Sequence, residues 1–195
     1  MKRIYILVGC ISLLLTANIT GMSYEYCNEE DPEIVDTTGD VSGYFGHQYR
    51  WLIFQQIDIT SASFFEDLAE PEFLQLILEI KNYRPSIFLT MYTVNFTLNN
   101  TRYSTIFMTR FGGSYVRSIL MKVESGVATP DYGTAELQGN QIHFRIQKEV
   151  LGYPSSGDVC SETKVWTVVS IGGLILSWDD VAPNTGWGED YIIQY

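Results

Sequence analysis

The chain has 195 residues, 46% hydrophobic and 14% aromatic, and its 23 Asp and Glu against 12 Lys and Arg give a formal net charge of −11. A surface this acidic repels phosphate backbones, which argues against nucleic acid as a partner. The same acidity keeps a small protein soluble and supplies hard oxygen atoms suited to calcium.

The first residues read as a secretory leader. Lys2 and Arg3 precede an apolar run from Ile4 to Leu15, and the small residues Ala17 and Gly21 follow it. The run falls short of the roughly 20 apolar residues that a spanning helix needs. Cleavage near Ala17 or Gly21 is the expected outcome, making residues 1–21 a signal peptide and the mature protein secreted or displayed on the cell surface. Two alternatives stand beside it, an uncleaved N-terminal anchor and a lipidated Cys10 within Leu7-Val8-Gly9-Cys10. Those are the only routes to a membrane that the sequence offers. Loss of the leader removes two cations and takes the net charge to about −13.

About 170 residues then remain, a suitable length for one domain. Cys27 and Cys160 are left as an even pair in an oxidising compartment, so a bridge between them is expected, with two free thiols as the alternative. Residues 22–46 are acidic and without a clear period, and read as a segment and loop leading into a β-sandwich over 47–195.

Trp51 to Ile59 is rich in aromatic and β-branched residues and predicts the first strand. Phe73 to Ile80 fits both helical spacing and alternation, and strand is preferred because its neighbours are strand-like. Phe88, Thr90, Tyr92, Val94 and Phe96 fall on one face of the next strand, Asn99-Asn100 turns the chain, and Thr101 to Phe111 returns. Gly112-Gly113 leads into Ser114 to Glu124. Gly139-Asn140 marks a hairpin, with Ile142, Phe144 and Ile146 alternating after it, and residues 148–152 read as one short helical turn. Strands over Lys164 to Ser170 and Leu174 to Trp178 close the pattern. The prediction is an all-β, antiparallel, jelly-roll-like sandwich.

This strand order, with Asp36-Thr37-Thr38-Gly39-Asp40, Ile57-Asp58-Ile59-Thr60, Gln138 to Ile146, Leu151-Gly152 and Trp178-Asp179-Asp180-Val181-Ala182-Pro183-Asn184, resembles the DOMON-like and family-nine carbohydrate-binding-module sandwiches, including the C-terminal module of glucodextranase-type enzymes. The resemblance runs from about Asp36 to the end. It implies an extracellular sandwich that often binds sugars, with calcium as a structural ion. The haem branch of that group needs an axial Met and His that cannot be placed here, so no haem is expected.

Asp36, Asp40, Asp58, Asp179 and Asp180 are the candidate calcium ligands, being carboxylates beside a glycine corner; the alternative is that they only make turns. Trp187, in the loop Asn184-Thr185-Gly186-Trp187-Gly188, is the best placed ring for stacking on a sugar, with Trp178 and Asn184 as companions. Trp51 and Trp166 are expected to fill the core. Asn95-Phe96-Thr97 and Asn99-Asn100-Thr101 are acceptors for N-glycosylation. No catalytic motif is present, and the leading expectation is a non-catalytic domain that binds carbohydrate. An interaction protein of the cell envelope is the alternative, and a small secreted hydrolase the third reading.

Overall fold

Side chains that alternate between core and surface build two antiparallel sheets in a computed structural model, which describes residues 32–43, 55–110, 115–123, 127–129, 133–171 and 176–195. The leader, Cys27, His47, Trp51 and the glycine pairs at 112–113 and 172–173 lie outside the described residues.

The strands are β1 (Ile34–Val35), β2 (Ser42–Gly43), β3 (Ile59–Phe65), β4 (Phe73–Ile80), β5 (Leu89–Leu98), β6 (Thr101–Arg110), β7 (Tyr115–Lys122), β8 (Val127–Thr129), β9 (Gly133–Gln138), β10 (Gln141–Gln147), β11 (Val159–Ile171), β12 (Leu176–Ala182) and β13 (Tyr191–Ile192). The smaller sheet runs β1-β3-β4-β10-β9. The larger runs β2-β12-β11-β5-β6-β7-β8, with β13 added to β11. The all-β sandwich expected from the alternation is therefore what forms, and residues 148–152 make the predicted turn through three successive i to i+3 bonds.

The ambiguous Phe73–Ile80 segment is a central strand of the small sheet, flanked by β3 and β10. Its Leu74, Leu76, Leu78 and Ile80 all enter the core. The β5–β6 hairpin turns on Asn99 and Asn100, both with positive φ (49° and 59°), as a two-residue type I′ turn requires. Phe64, Phe96 and Tyr103 meet at centroid distances of 5.4 and 5.6 Å, so aromatic rings bridge the two sheets.

The strand expected over Trp51 to Ile59 does not run through its second half. Gln55–Ile57 is a 3-10 turn, and pairing starts at Ile59 and continues to Phe65. Side-chain hydroxyls explain the break. Tyr92 Oη donates to the carbonyl of Gln56 at 2.9 Å and Thr167 Oγ1 to that of Ile57 at 2.5 Å, so these carbonyls are satisfied without a partner strand. The segment expected to be a loop contributes β1 to one sheet and β2 to the other.

Cys160 corrects the expected bridge. Its thiol is free and buried in the main core, on a strand position opposite Leu98 and Tyr191. Burial, with Glu66, Glu33 and Asp158 nearby, pushes the thiol up to about 12, so it keeps its proton and behaves as a small apolar side chain.

Glu66 and Lys148 form a buried ion pair between the small sheet and its turn, the Glu66 side chain being 0% exposed. Tyr191 Oη and the Gln194 amide also donate to Glu66, and Lys148 Nζ donates to the carbonyl of Tyr195. One charge pair thus ties residues 191–195 onto the sandwich. Removing one partner strands a buried charge. Glu66→Ala is expected to cost about 3–5 kcal/mol in urea unfolding, and Glu66→Leu with Lys148→Met together clearly less. Equal losses would show that packing, not charge, sets the cost.

Candidate functional site

At one edge of the sandwich the chain crosses from β1 to β2 through Asp36-Thr37-Thr38-Gly39-Asp40. Gly39 has a φ of 91°, which a side chain would strain, and its amide donates to both oxygens of Asp58 at 2.9 and 3.0 Å. Asp58 lies just ahead of β3, accepts from Lys81 Nζ at 3.2 Å, and through its carbonyl also takes the Lys81 amide. Asp180, on the inner face of β12, accepts the amide of Ile59 at 2.8 Å and so joins the large sheet to the first residue of β3.

These placements gather Asp36, Asp40 and Asp180, each presenting an oxygen within 4.8 Å of the others. Asn184 Nδ2 bridges two of them, donating to Asp36 Oδ1 at 3.0 Å and to Asp40 Oδ2 at 2.5 Å. Asp36 Oδ2 and Asp40 Oδ1 are buried and have no hydrogen-bond donor. Two of the five candidate aspartates stand apart from this group. The oxygens of Asp58 serve Gly39 and Lys81, and Asp179 faces the other side of β12, where it accepts Ser42 Oγ at 2.8 Å.

Like charges at this range repel by on the order of 4 kcal/mol per pair at an effective protein dielectric. Three full charges therefore do not persist together without compensation. Burial first, then the neighbouring carboxylates Asp40 and Asp58, raise Asp36 from 3.8 to about 6, against the lowering effect of the Thr37 amide. Burial likewise raises Asp180 to about 7, with Asp40, Asp36 and Asp58 adding to it and the Ile59 amide opposing it. Protons are one way to relieve the repulsion. A cation is the other, and the donor set suits it: hard carboxylate oxygens, two of them buried without donors, beside an amide whose carbonyl oxygen is a further ligand type.

The tryptophans divide differently from expectation. Trp178 shares its face of β12 with Asp180 and, half-buried, packs against the cluster of Val41, Ile57 and Val169. Trp166, expected in the core, is 36% exposed on the outer face of β11. Trp187 is 49% exposed on its loop, as its Gly-flanked setting suggests, with Lys164 Nζ 5.5 Å and the Arg102 guanidinium 5.9 Å from the ring centroid. The loop is fixed where Gly188 N donates to the Thr163 carbonyl and Glu189 N to that of Glu33. Asn99 sits exposed at the hairpin tip, its amide donating to Asp158 at 3.0 Å, whereas Asn95 is half-buried mid-strand opposite Lys164 and Ser104.

Nothing in the sequence pattern pointed to a cleft of about 410 Å³ at the far end of the small sheet, lined by Pro71, Glu72, Lys148, Tyr153 and Tyr195 among others. Its side chains come from the residues just ahead of β4, the end of β10 with the segment to Pro154, and the closing Tyr195, which adjoin only in the folded chain. Tyr153 there adopts a left-handed φ of 56°.

Comparison with known families, curated proteins and solved structures yields no match to this chain.

The raised values of Asp36 and Asp180 carry a sign. The folded chain holds protons that the unfolded chain has released, so the stability they contribute is complete below about pH 4 and is lost as pH rises through 6 and 7. In chelator-treated protein the melting temperature is expected to fall between about pH 5 and 8, and Asp180→Asn to remove much of that fall. An upward or flat profile would contradict the repulsion inferred at this corner.

Proposed function

We propose that this protein is a non-catalytic extracellular binding module that takes carbohydrate at the Trp187 loop and is stabilised by calcium at the Asp36-Asp40-Asp180 corner. The observation that carries the reading is the convergence of three carboxylates from two distant chain segments, two of their oxygens being buried without donors. Turn-making alone accounts for Asp36 and Asp40. It does not account for Asp180, which lies in a strand remote in sequence from the other two.

In this reading Asp36, Asp40 and Asp180 hold the ion, with Asn184 at their edge. The ion supplies positive charge where the protein has only carboxylates. Asp58 adds field without contact, because its oxygens already serve Gly39 and Lys81. Asn184 links this corner to the ring, since it begins the loop that carries Trp187. The resemblance to family-nine and DOMON-like sandwiches points the same way, toward an exported sugar-binding domain with structural calcium and without haem.

A ligand held only by the folded state stabilises it, by about 2.7 kcal/mol at a hundredfold excess over Kd. For a domain of this size that is roughly 5–10 °C in melting temperature. Calcium added to chelated protein at pH 7.5 is expected to raise the melting temperature by that order, and Asp40→Asn to abolish most of the rise. No change with calcium would remove the metal from the reading. A glycan array on the full chain, with and without calcium, tests the other half: silence on every sugar would favour the envelope-interaction alternative.

A further inference from the structure

The net charge of −11 conceals an asymmetry. Between Lys81 and Val123 there is no Asp or Glu, yet Lys81, Arg84, Arg102, Arg110, Arg117 and Lys122 fall there, half of the chain's 12 Lys and Arg. This stretch supplies β5, β6 and β7, three adjacent strands of the large sheet. The strand cations lie on β6 and β7, and Lys164 on β11, opposite Asn95, adds one across the uncharged β5.

Arg102 and Lys164 both face the Trp187 ring, so two cations are gathered at one exposed indole. The ring holds these long side chains against the loop and keeps their charge at the surface. Arg102 shares its charge with Glu162 at 3.8 Å, and both partners of that pair are about half exposed. Lys164 has no carboxylate within ion-pair distance among the described residues. A neutral sugar gains little from two cations, and they occupy ring surface that it would need for stacking. An anion gains from Lys164 and from the share of the Arg102 charge that Glu162 leaves unpaired.

From this we infer that the ligand at the Trp187 loop is an acidic polysaccharide, one bearing carboxylate or sulfate groups, met by Lys164 and Arg102 with Trp187 as their support. The inference rests on the carbohydrate-binding reading and specifies its ligand class. The acidic corner does not defeat it: at physiological ionic strength the field of a surface charge decays over about 8 Å, so a ligand on this face responds to nearby cations more than to total charge.

Titration calorimetry on the full chain in calcium, with polygalacturonate, dextran sulfate, neutral dextran and phosphatidylglycerol vesicles as probes, decides the matter. Polygalacturonate or dextran sulfate is expected to bind, weakening as NaCl rises, and neutral dextran to bind at least about tenfold more weakly. Which of the two acidic polymers binds separates carboxylate from sulfate recognition. Lys164→Gln with Arg102→Gln is expected to weaken the acidic polymer by about tenfold or more while the melting temperature stays put. Lys164→Arg is expected to restore most of the loss in the single Lys164 variant. Equal binding of neutral dextran and the acidic polymers, or binding untouched by the paired substitution, would overturn the acidic-ligand inference and leave sugar binding standing. Binding to vesicles alone would overturn it in favour of a lipid surface. No binding to these probes, together with a silent glycan array, would overturn both this inference and the carbohydrate reading.

Discussion

The bond between the Ile59 amide and the Asp180 carboxylate is the joint on which one edge of the sandwich turns. It spans the two sheets where the backbone cannot, because β3 and β12 belong to different ladders. It also commits a carboxylate to a buried position. Once Asp180 is inside, the crossing from β1 to β2 brings Asp36 and Asp40 against it, and the Gly39 turn brings Asp58 to their flank. Hydrogen bonds that align the sheets thereby concentrate negative charge. The same geometry that makes the edge well defined makes it electrostatically incomplete.

The opposite end of the molecule handles buried charge in another way. Glu66 and Lys148 neutralise each other, and the remaining capacity of both goes to the 191–195 segment. That site is closed upon itself. Lys81 reaches only Asp58 at the acidic corner, and no cationic side chain enters the Asp36-Asp40-Asp180 group among the described residues. One end is finished by the chain's own residues; the other calls for protons or for something from outside.

Much of the fold was legible because alternation is a local property. Tyr92, Val94 and Phe96 face inward regardless of what lies across from them, and Asn99-Asn100 encodes its own turn. The failures came where distant groups intervened. Gln55–Ile57 has strand-like composition, but the hydroxyls of Tyr92 and Thr167 take its carbonyls, and neither contact is visible from the segment itself. The size of Trp166 points inward, whereas its neighbours Val165 and Thr167 take the buried positions and leave it half open on the outer face. Parity would also have separated Asp180 from Asp179, since Asp180 shares its face with Trp178 and Ala182. The free thiol of Cys160 follows from its place on the inner side of β11, which counting cysteines does not reveal. Summing charge over the whole chain hid the acid-free strands in the same way, by averaging over an arrangement that only the sheet order makes local.

Gly188 adds a consequence for the exposed loop. A methyl group at that position would lie 2.6 Å from Ile34 Cγ1 and 2.7 Å from the Glu33 carbonyl, so the loop rests directly on β1 with no room beneath it. Backbone bonds to Thr163 and Glu33 secure it on two sides. Trp187 therefore precedes backbone held by packing on β1 and by two hydrogen bonds, although its ring is open to solvent. A partner arriving there meets a contact surface that has already lost its conformational freedom during folding, and little ordering entropy remains to be lost on binding.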